Sequence, residues 1–268
     1  MDFIEKIKES ITENLIKYDY DYKKVIFIVY IVFACIIILI IWYYINKRNG
    51  INSIDKSLIV YLHPGLDTRK NKYGLGVYTN QDISANTIIL KEKLYFLDKE
   101  PVTDFNVYRM KMIKKMLNEN KTYLLNLIPH KLDDTMQNTY DYNDISHLHL
   151  QYLPELDVDT LILYLHKITR NAFNYIDYYI DAFVFYGTKL NHSCDANVYY
   201  EQNKEDDTII FTTTKDIKAG EELFISYIDY NMCKCNRQLQ LKENYGFDCE
   251  CEKCKTTKYC AEESHVQR

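Results

Sequence analysis

LNHSCD at residues 190–195 decides the fold of this chain together with two later segments, GEEL at residues 220–223 and FDCECEKC at residues 247–254. The first segment combines an Asn-His pair with a cysteine. The second predicts a turn that leads into a strand ending near Tyr227. The third has the CxCxxC spacing of thiolates that share one metal ion. Three segments with different chemistry, in this order, predict a single site built from distant parts of the chain.

The three segments resemble the catalytic end of SET-domain protein-lysine methyltransferases. They are most similar to the subgroup that combines SET with a MYND zinc module, and the resemblance covers roughly residues 57–256. It implies a mainly β SET fold with short antiparallel sheets, a helical insertion, a pseudoknot-like C-terminal threading and a zinc-binding post-SET tail. The implied activity is S-adenosylmethionine-dependent N-methylation of a lysine in a protein or peptide, which could be a histone or a non-histone protein.

The resemblance also implies a cofactor site. YGLG at residues 73–76 looks like the family's glycine motif, in which the missing Cβ lets the backbone approach the ligand. Asn171 lies in a segment similar to one in which an asparagine contacts the cofactor. Phe247 would stack near the adenine or close the channel, and an ordinary core phenylalanine is the alternative. The expected cofactor-binding residues are Tyr73, Gly74, Leu75, Gly76, Asn171, Asn191, His192, Tyr227 and Phe247.

The resemblance assigns the catalytic role to Tyr227. The chain has 26 tyrosines, and only the position directly after the GEEL strand distinguishes this one. Methyl transfer is an in-line displacement, so the protein must align a neutral lysine amine with the methyl group and exclude water. We expect Tyr227 to orient the amine in a narrow channel rather than to act as a strong base.

A cysteine cluster is expected beside this site. Cys249, Cys251 and Cys254 supply three sulfur ligands, whereas a structural zinc site needs four. The resemblance places the fourth on Cys194, so that zinc would tie the tail over the cofactor site. Cys233-x-Cys235 could instead provide the fourth ligand or a second, incomplete site, or be two reduced surface thiols. A closed four-sulfur site has no open position for water, which argues against a zinc hydrolase.

The pattern between residues 101 and 170 becomes helical. This predicted insertion contains no cysteine, so the MYND zinc module is absent. The partner binding ascribed to MYND modules therefore does not transfer to this chain.

The N-terminal part predicts a membrane anchor. Residues 25–45 form an uncharged, Ile-rich run bracketed by lysine and arginine, and the run is long enough to cross a bilayer as one helix. A cleaved signal peptide fits less well, because no small-residue cleavage site follows the run. Residues 1–24 predict a short amphipathic helix, and residues 46–57 predict a polar linker.

Charge and cysteine usage bear on topology and partners. More lysines precede the apolar run than follow it closely, which favours a cytoplasmic N-terminus. The cysteine-rich C-terminal part and the cytosolic origin of the expected cofactor instead favour a catalytic domain that faces the cytosol or nucleoplasm, which is the topology we predict. A net charge of -5 gives little support for direct nucleic-acid binding, so the expected partners are a lysine-bearing protein and membrane lipid.

The predicted function is a membrane-anchored lysine methyltransferase. The alternative is a catalytically inactive, membrane-tethered interaction module that keeps the zinc-stabilised fold. The presence of both glycines, Asn191, His192 and Tyr227 favours the enzyme. The predicted segments are an amphipathic segment (1–24), a transmembrane helix (25–45), a linker (46–57), a SET domain (58–230) with its helical insertion at about 101–170, a post-SET zinc-binding segment (231–256) and a tail (257–268).

Overall fold

A computed structural model describes residues 2–51, 56–72, 74–97, 104–119, 121–132, 140, 142–175 and 180–257. The chain divides into two compact units, Met1–Ser53 and Ile54–Arg268. Tyr73, from the predicted glycine motif, lies outside the described residues, as does the predicted tail beyond residue 257.

The first unit is one helix, α1 (Asp2–Ile51). Its stretch Tyr22–Ile40 has a mean hydropathy of 2.7, and none of that stretch is buried. The helix runs through the boundaries predicted at residues 24 and 45 and includes residues 46–51 of the predicted linker. Extending an existing helix adds one hydrogen bond for each residue fixed, whereas starting a new helix is costly. A short polar run of moderate helix propensity therefore continues the helix that precedes it.

The second unit is built on short strands in three sheets. The first sheet has the order β1-β4-β9-β8, the second β2-β3-β10-β7, and β5 pairs with β6 alone. The strands are β1 (Ile59–Leu62), β2 (Leu66–Asn71), β3 (Gly74–Thr79), β4 (Ile88–Lys93), β5 (Phe173–Tyr175), β6 (Ile180–Ala182), β7 (Asn191–His192), β8 (Val198–Asn203), β9 (Thr208–Thr213) and β10 (Glu222–Ile225).

Among the described residues of the second unit, four α-helices precede β5 in sequence and two follow β10. They are α2 (Phe105–Glu119), α3 (Lys121–Asn126), α4 (Tyr142–Tyr152), α5 (Val158–Asn171), α6 (Lys234–Tyr245) and α7 (Glu252–Thr256). The helices α2 to α5 lie where the helical insertion was predicted. Helices occupy more of the described second unit than strands do, so its fold is mixed rather than mainly β.

Helix α5 forms one wall of the cavity described below, and its sequence determines how the helix packs. Asp157 caps its first turn by accepting a hydrogen bond from the Thr160 backbone N–H at 2.8 Å. Leu161, Leu165 and Ile168 recur at helical spacing and are fully buried. The amphipathic pattern therefore fixes which face of α5 enters the core, and Arg170 and Asn171 at its C-terminal end line a cavity.

Strand β2 has no strand-like sequence. Its residues, LDTRKN, include three charged side chains and no alternating apolar pattern. It nevertheless pairs along its full length with β3, from Leu66 opposite Thr79 to Asn71 opposite Gly74. Tertiary pairing here overrides intrinsic β-propensity.

The second sheet brings together two segments that are distant in sequence. Strand β7 runs parallel to β10, with Asn191 opposite Phe224 and His192 opposite Ile225. Beyond the strand, the Ser193 N–H donates to the Ile225 carbonyl at 3.0 Å. The Asn197 side chain extends the contact, since its Nδ2 donates to the Glu222 carbonyl at 2.9 Å and its Oδ1 accepts from the Phe224 N–H at 2.7 Å.

Phe211 lies at the centre of the first sheet, on the interior strand β9. It is fully buried, and its ring contacts those of Phe173 and Tyr200 at centroid distances of 5.6 and 6.0 Å. A Cβ added at Gly187 would lie 2.5 Å from its Cζ atom, so the ring fills the space that Gly187 leaves.

We expect Phe211→Ala to lower the free energy of unfolding by about 3–5 kcal/mol, because it removes a large ring from a core that cannot fully collapse. The control is Val60→Ala in β1, a 49% exposed residue, for which a change within about 0.5 kcal/mol is expected. Urea unfolding of the full-length protein in mild detergent, followed by near-ultraviolet circular dichroism, measures both. Equal unfolding midpoints for the two variants would contradict this packing.

Candidate functional site

Four cysteine sulfurs converge at the C-terminal end of the second unit. The Sγ atoms of Cys194, Cys249, Cys251 and Cys254 all lie within 4.8 Å of one another. Cys194 Sγ is 3.6 Å from Cys254 Sγ and 4.0 Å from Cys249 Sγ. The loop after β7 supplies Cys194, and the segment around the start of α7 supplies the others. The structure thus brings together the four residues predicted as metal ligands.

The sulfurs of the cluster differ in how readily they carry negative charge, and burial raises the pKa of Cys254. The hydrogen bond from Cys194 lowers the pKa of Cys249 to about 3, and the same contact raises the pKa of Cys194. The guanidinium group of Arg237, which is 3% exposed, places Nη2 at 3.9 Å from Cys254 Sγ. A buried cation beside these sulfurs offsets part of the charge that thiolates would carry.

His192 connects the cysteine cluster to Tyr227. Its Nδ1 accepts a hydrogen bond from the Tyr227 backbone N–H at 3.0 Å, because a backbone N–H can only donate. A neutral His192 therefore carries its proton on Nε2, which lies 3.3 Å from Cys194 Sγ. The imidazole side chain thus has a bridging role, whereas the sequence assigned the Asn-His pair to the cofactor.

Tyr227 directly follows β10 and has a fixed, neutral phenol. Its hydroxyl donates to the Leu190 carbonyl at 2.8 Å. Burial raises the pKa of the phenol, and the nearby Tyr245 and Glu222 raise it further. The side chain therefore stays protonated at neutral pH and acts as a hydrogen-bonding group, not as a base.

The phenol lies in a cavity of about 80 Å³ between α5, β10 and the end of α6. A wider groove of about 1160 Å³ shares part of the same wall and extends along α6. Residues common to both linings are Thr169, Arg170, Asn174, Tyr200, Ser226, Tyr227 and Tyr245. Tyr227 therefore lies in the wall that a small cavity shares with a wider groove.

Asn171 also lines the small cavity. Its Nδ2 donates to the Ile128 carbonyl at 2.7 Å and to the Lys167 carbonyl at 2.8 Å. These two bonds fix the plane of the side-chain amide. The remaining polar atom, Oδ1, is an acceptor.

The glycine motif is joined to Asn191 through Glu222. Glu222 Oε1 accepts from Asn191 Nδ2 at 2.7 Å and from Asn71 Nδ2 at 2.8 Å. Asn191 Nδ2 also donates to the Leu75 carbonyl at 3.2 Å. A Cβ at Gly76 would lie 2.3 Å from Glu222 Oε1, so a larger residue here would displace the Glu222 carboxylate from its contacts with the two asparagines. At Gly74 the requirement is conformational, since its φ is +121° and a Cβ would meet no atom within 4 Å.

Tyr245 is a site residue that the sequence reasoning missed. Its ring lies 4.9 Å from that of Tyr227, its hydroxyl donates to the Tyr227 carbonyl at 3.2 Å, and burial raises its pKa to about 12. The available signal was Gly246, whose φ of +78° ends helix α6 directly after this tyrosine. Phe247 lies next to it, with its ring 6.0 Å from that of His192 and 6.5 Å from that of Tyr245.

Cys233 and Cys235 are not part of the four-sulfur cluster, so neither provides the alternative fourth ligand. Cys235 is disulfide-bonded. The interpretation of both residues as reduced surface thiols is therefore wrong for Cys235.

Comparisons with known proteins agree with this architecture. The SET domain model matches residues 74–228. A SET domain-containing protein of Acanthamoeba polyphaga mimivirus is 30% identical over 202 residues, which cover 68% of this chain and 74% of that protein. The histone-lysine N-methyltransferase set5 of Schizosaccharomyces pombe is 34% identical over 96 residues, or 36% of this chain and 30% of that protein. The histone-lysine N-methyltransferase SMYD3 of Mus musculus is 40% identical over 67 residues, or 25% of this chain and 15% of that protein.

The solved structures include a similar fold at low sequence identity. The SET domain of LSMT, crystallised with lysine and AdoHcy, superposes with a TM-score of 0.53 at 15% identity and covers 78% of this chain and 56% of that chain. The match to the SET domain model spans more than half of the sequence, and the mimivirus relative is similar over most of its own length. The chain therefore belongs to the SET domain family.

Proposed function

We propose that this protein is an S-adenosylmethionine-dependent protein-lysine N-methyltransferase. The observation that carries the proposal is the fixed, neutral phenol of Tyr227 where a small cavity and a wider groove share a wall. Membership in the SET domain family supports it, as do the two eukaryotic relatives named as histone-lysine N-methyltransferases. The chain spans less than a third of either relative, so a lysine-bearing protein substrate is part of the proposal.

The residues present fit S-adenosylmethionine. The open space beside Gly74 and its positive φ leave the backbone accessible to a ligand. Asn171 has its amide nitrogen committed to two carbonyls, so Oδ1 would accept a hydrogen bond from the cofactor's ammonium group. The Asn191 side chain donates to Glu222, and the His192 side chain accepts from the Tyr227 N–H. Asn191 and His192 therefore connect the glycine motif to Tyr227.

When bound, S-adenosylmethionine would supply an electrophilic methyl group. The phenol oxygen of Tyr227 would accept a hydrogen bond from the lysine amine and so orient it. The phenol would keep its own hydrogen and continue to donate it to the Leu190 carbonyl. The aromatic ring of Tyr245, 4.9 Å away, would border the lysine side chain and exclude water. Enclosure between these rings favours the neutral amine, because burial disfavours an ammonium ion.

We expect Tyr227→Phe to lower the rate of methyl transfer about a hundred-fold, because it removes the group that orients the amine. Cofactor affinity should stay within about threefold of wild type, since the substitution leaves the Tyr227 backbone N–H in place. The matched control is Tyr199→Phe on β8, a 43% exposed tyrosine.

Transfer of labelled methyl from the cofactor to histones and cytosolic proteins measures the rate, and calorimetry measures affinity. Failure of the wild-type protein to bind S-adenosylmethionine would overturn the enzyme proposal and leave the inactive interaction module. Equal rates for the two variants would remove Tyr227 from the mechanism.

The four-cysteine cluster is proposed to hold a structural zinc ion. In a tetrahedral site with Zn–S bonds of about 2.3 Å, neighbouring sulfurs lie about 3.8 Å apart. The 3.6 and 4.0 Å separations from Cys194 fit that requirement. Four sulfurs would leave no position for water, so the ion would stabilise the C-terminal segment and take no part in chemistry.

We expect the full-length protein to contain one zinc ion per chain. Removing Cys194 by substitution to serine should reduce zinc content and lower the melting temperature, because three sulfurs on the C-terminal segment no longer connect to the loop after β7. Cys35→Ser, in the exposed part of α1, is the control.

Elemental analysis gives the stoichiometry, and the absorption spectrum of the cobalt-substituted protein reports the number of sulfur ligands. A four-sulfur spectrum retained in Cys194→Ser would show that another residue provides the fourth ligand.

We also propose that α1 anchors the protein in a membrane, with the second unit facing the cytosol or nucleoplasm. Within the described residues, Tyr22–Ile40 is the one helical stretch long and apolar enough to cross a bilayer. The Asn191-His192-Ser193 sequence would be glycosylated in a luminal domain, and the close contacts of Asn191 leave no space for a sugar.

We expect the full-length protein to stay in the membrane pellet after alkaline carbonate extraction, and a chain that starts at Gly50 to be released. In sealed microsomes, added protease should digest the second unit. Release of the full-length chain by carbonate contradicts the anchor, and protease protection contradicts the orientation.

A further inference from the structure

Glu92 is a buried acid that the catalytic scheme does not use. It lies on β4, is 0% exposed, and is the only acidic side chain among the buried residues of the described structure. Its Oε1 accepts from the N–H groups of Phe185 and Tyr186 at 2.6 and 2.9 Å. Its Oε2 accepts from those of Tyr186 and Gly187, both at 3.0 Å. One carboxylate thus holds three consecutive backbone amides.

The held segment leads directly to the phenol of Tyr227. After Gly187 the chain makes a 3-10 turn (Gly187–Lys189), in which the Leu190 N–H donates to the Gly187 carbonyl at 3.1 Å. The Leu190 carbonyl then accepts the hydrogen bond of the Tyr227 hydroxyl at 2.8 Å. Only this single turn of backbone separates the amides held by Glu92 from the atom that orients the phenol.

A second buried side chain holds the same segment from another side. The Tyr123 hydroxyl donates to the Phe185 carbonyl at 2.7 Å and lies 2.6 Å from Thr188 Oγ1. Glu92 therefore fixes the N–H groups of the segment and Tyr123 fixes a carbonyl, so the turn has little freedom to move.

We infer that Glu92 is a positioning residue for Tyr227: its ionised carboxylate fixes the turn that presents the Leu190 carbonyl to the phenol. The catalytic consequence rests on the proposed methyltransferase function, whereas the positioning itself does not. The arrangement needs both carboxylate oxygens as acceptors, and protonation converts one of them into a donor that faces backbone N–H groups.

The charge state of Glu92 changes near neutral pH. Burial raises its pKa to about 7, although the three N–H groups and Lys189 lower it. Burial lowers the pKa of Lys189 to about 8, raises that of Tyr186 to about 12 and raises that of Tyr123. Of these neighbours only Lys189 also titrates close to neutrality, and it does so above Glu92.

Stability and activity should therefore respond to pH in opposite directions. Because the pKa of Glu92 in the folded protein exceeds the usual 4.5, protonated Glu92 favours the folded state. That contribution is complete below pH 4.5 and is lost as the pH rises through about 7. The positioning role predicts that the rate rises over the same interval. A residue that only stabilised the fold would make rate and stability change together.

The test compares Glu92→Gln with Glu201→Gln in the full-length protein in mild detergent. Glu201 is an exposed glutamate on β8, a strand of the same sheet. Hydrogen exchange measured by mass spectrometry should accelerate in peptides covering residues 185–190 and 226–228 of Glu92→Gln. Peptides from α6 should be unchanged, and Glu201→Gln should match wild type throughout.

The methyl-transfer rate of Glu92→Gln should fall about ten- to a hundred-fold, as expected for a misplaced catalytic group, with cofactor affinity unchanged. Below pH 7 the wild-type rate should fall more steeply than the rate of the variant, in which only the loss of neutral substrate lysine still lowers the rate. Tyr123→Phe removes the hydroxyl that holds the same turn, and it should change the hydrogen exchange and the methyl-transfer rate in the same direction but by less. This second variant keeps the test decisive if Glu92→Gln does not fold.

The two proposals fail in different ways. Absence of methyl transfer in the wild-type protein would count against the enzyme, and hydrogen exchange alone would then decide the role of Glu92. The inference would be overturned if Glu92→Gln and Tyr123→Phe both had the same hydrogen-exchange rates and methyl-transfer rate as Glu201→Gln.

Discussion

The parallel pairing of β7 with β10 is the contact on which the rest of the site depends. The pairing places two short segments side by side, although about thirty positions separate them in the chain. Asn191 lies opposite Phe224 and His192 lies opposite Ile225. Cys194 follows one strand by two residues, and Tyr227 follows the other by the same interval. The register of one short ladder therefore determines the distance between the sulfur cluster and the phenol, and a shift by one residue would turn both side chains to the opposite face.

Around this ladder half-buried and buried polar groups contact one another, although the buried Nε of Arg237 has no hydrogen-bond partner. Glu222 gathers Asn71 and Asn191, His192 joins the Tyr227 backbone to Cys194, and Arg237 lies beside the sulfurs. Each of these groups would cost free energy if left unpaired away from water, so breaking one contact exposes another. The network therefore transmits small displacements between the glycine motif, the phenol and the cysteines.

The sequence predicted the parts of the site whose chemistry is local. Spacing alone grouped three cysteines, and the resemblance supplied Cys194, which the structure places with them. Tyr227 and Asn171 were found in the same way and line the same cavity. Tyr245 and Glu92 were missed because their sequence neighbours mark no site, since Gly246 beside Tyr245 indicates only where a helix ends. Their roles arise from contacts with residues that are far away along the chain, and such contacts follow only from the fold.

The fold shows the same division. The helical pattern predicted between residues 101 and 170 contains nearly all of helix α5, whose buried face recurs at helical spacing. Strand β2 was not predicted, because pairing with β3 forms it against the preference of its charged residues. The extension of α1 to residue 51 was missed for the opposite reason, since a preceding helix lowers the cost of adding polar residues.

The walls of the groove come from different parts of the fold: the strand ladder, the helical insertion and the C-terminal helix α6. The segment through β10 and Tyr227 forms one wall, and its geometry follows from the ladder. The other walls come from the end of α5, with Thr169 and Arg170, and from the end of α6, with Lys242 and Tyr245. Helix α5 belongs to the insertion, whose sequence is constrained mainly by its buried face. In the proposed methyltransferase, the half-buried end of α5 is therefore where the insertion would meet a protein substrate.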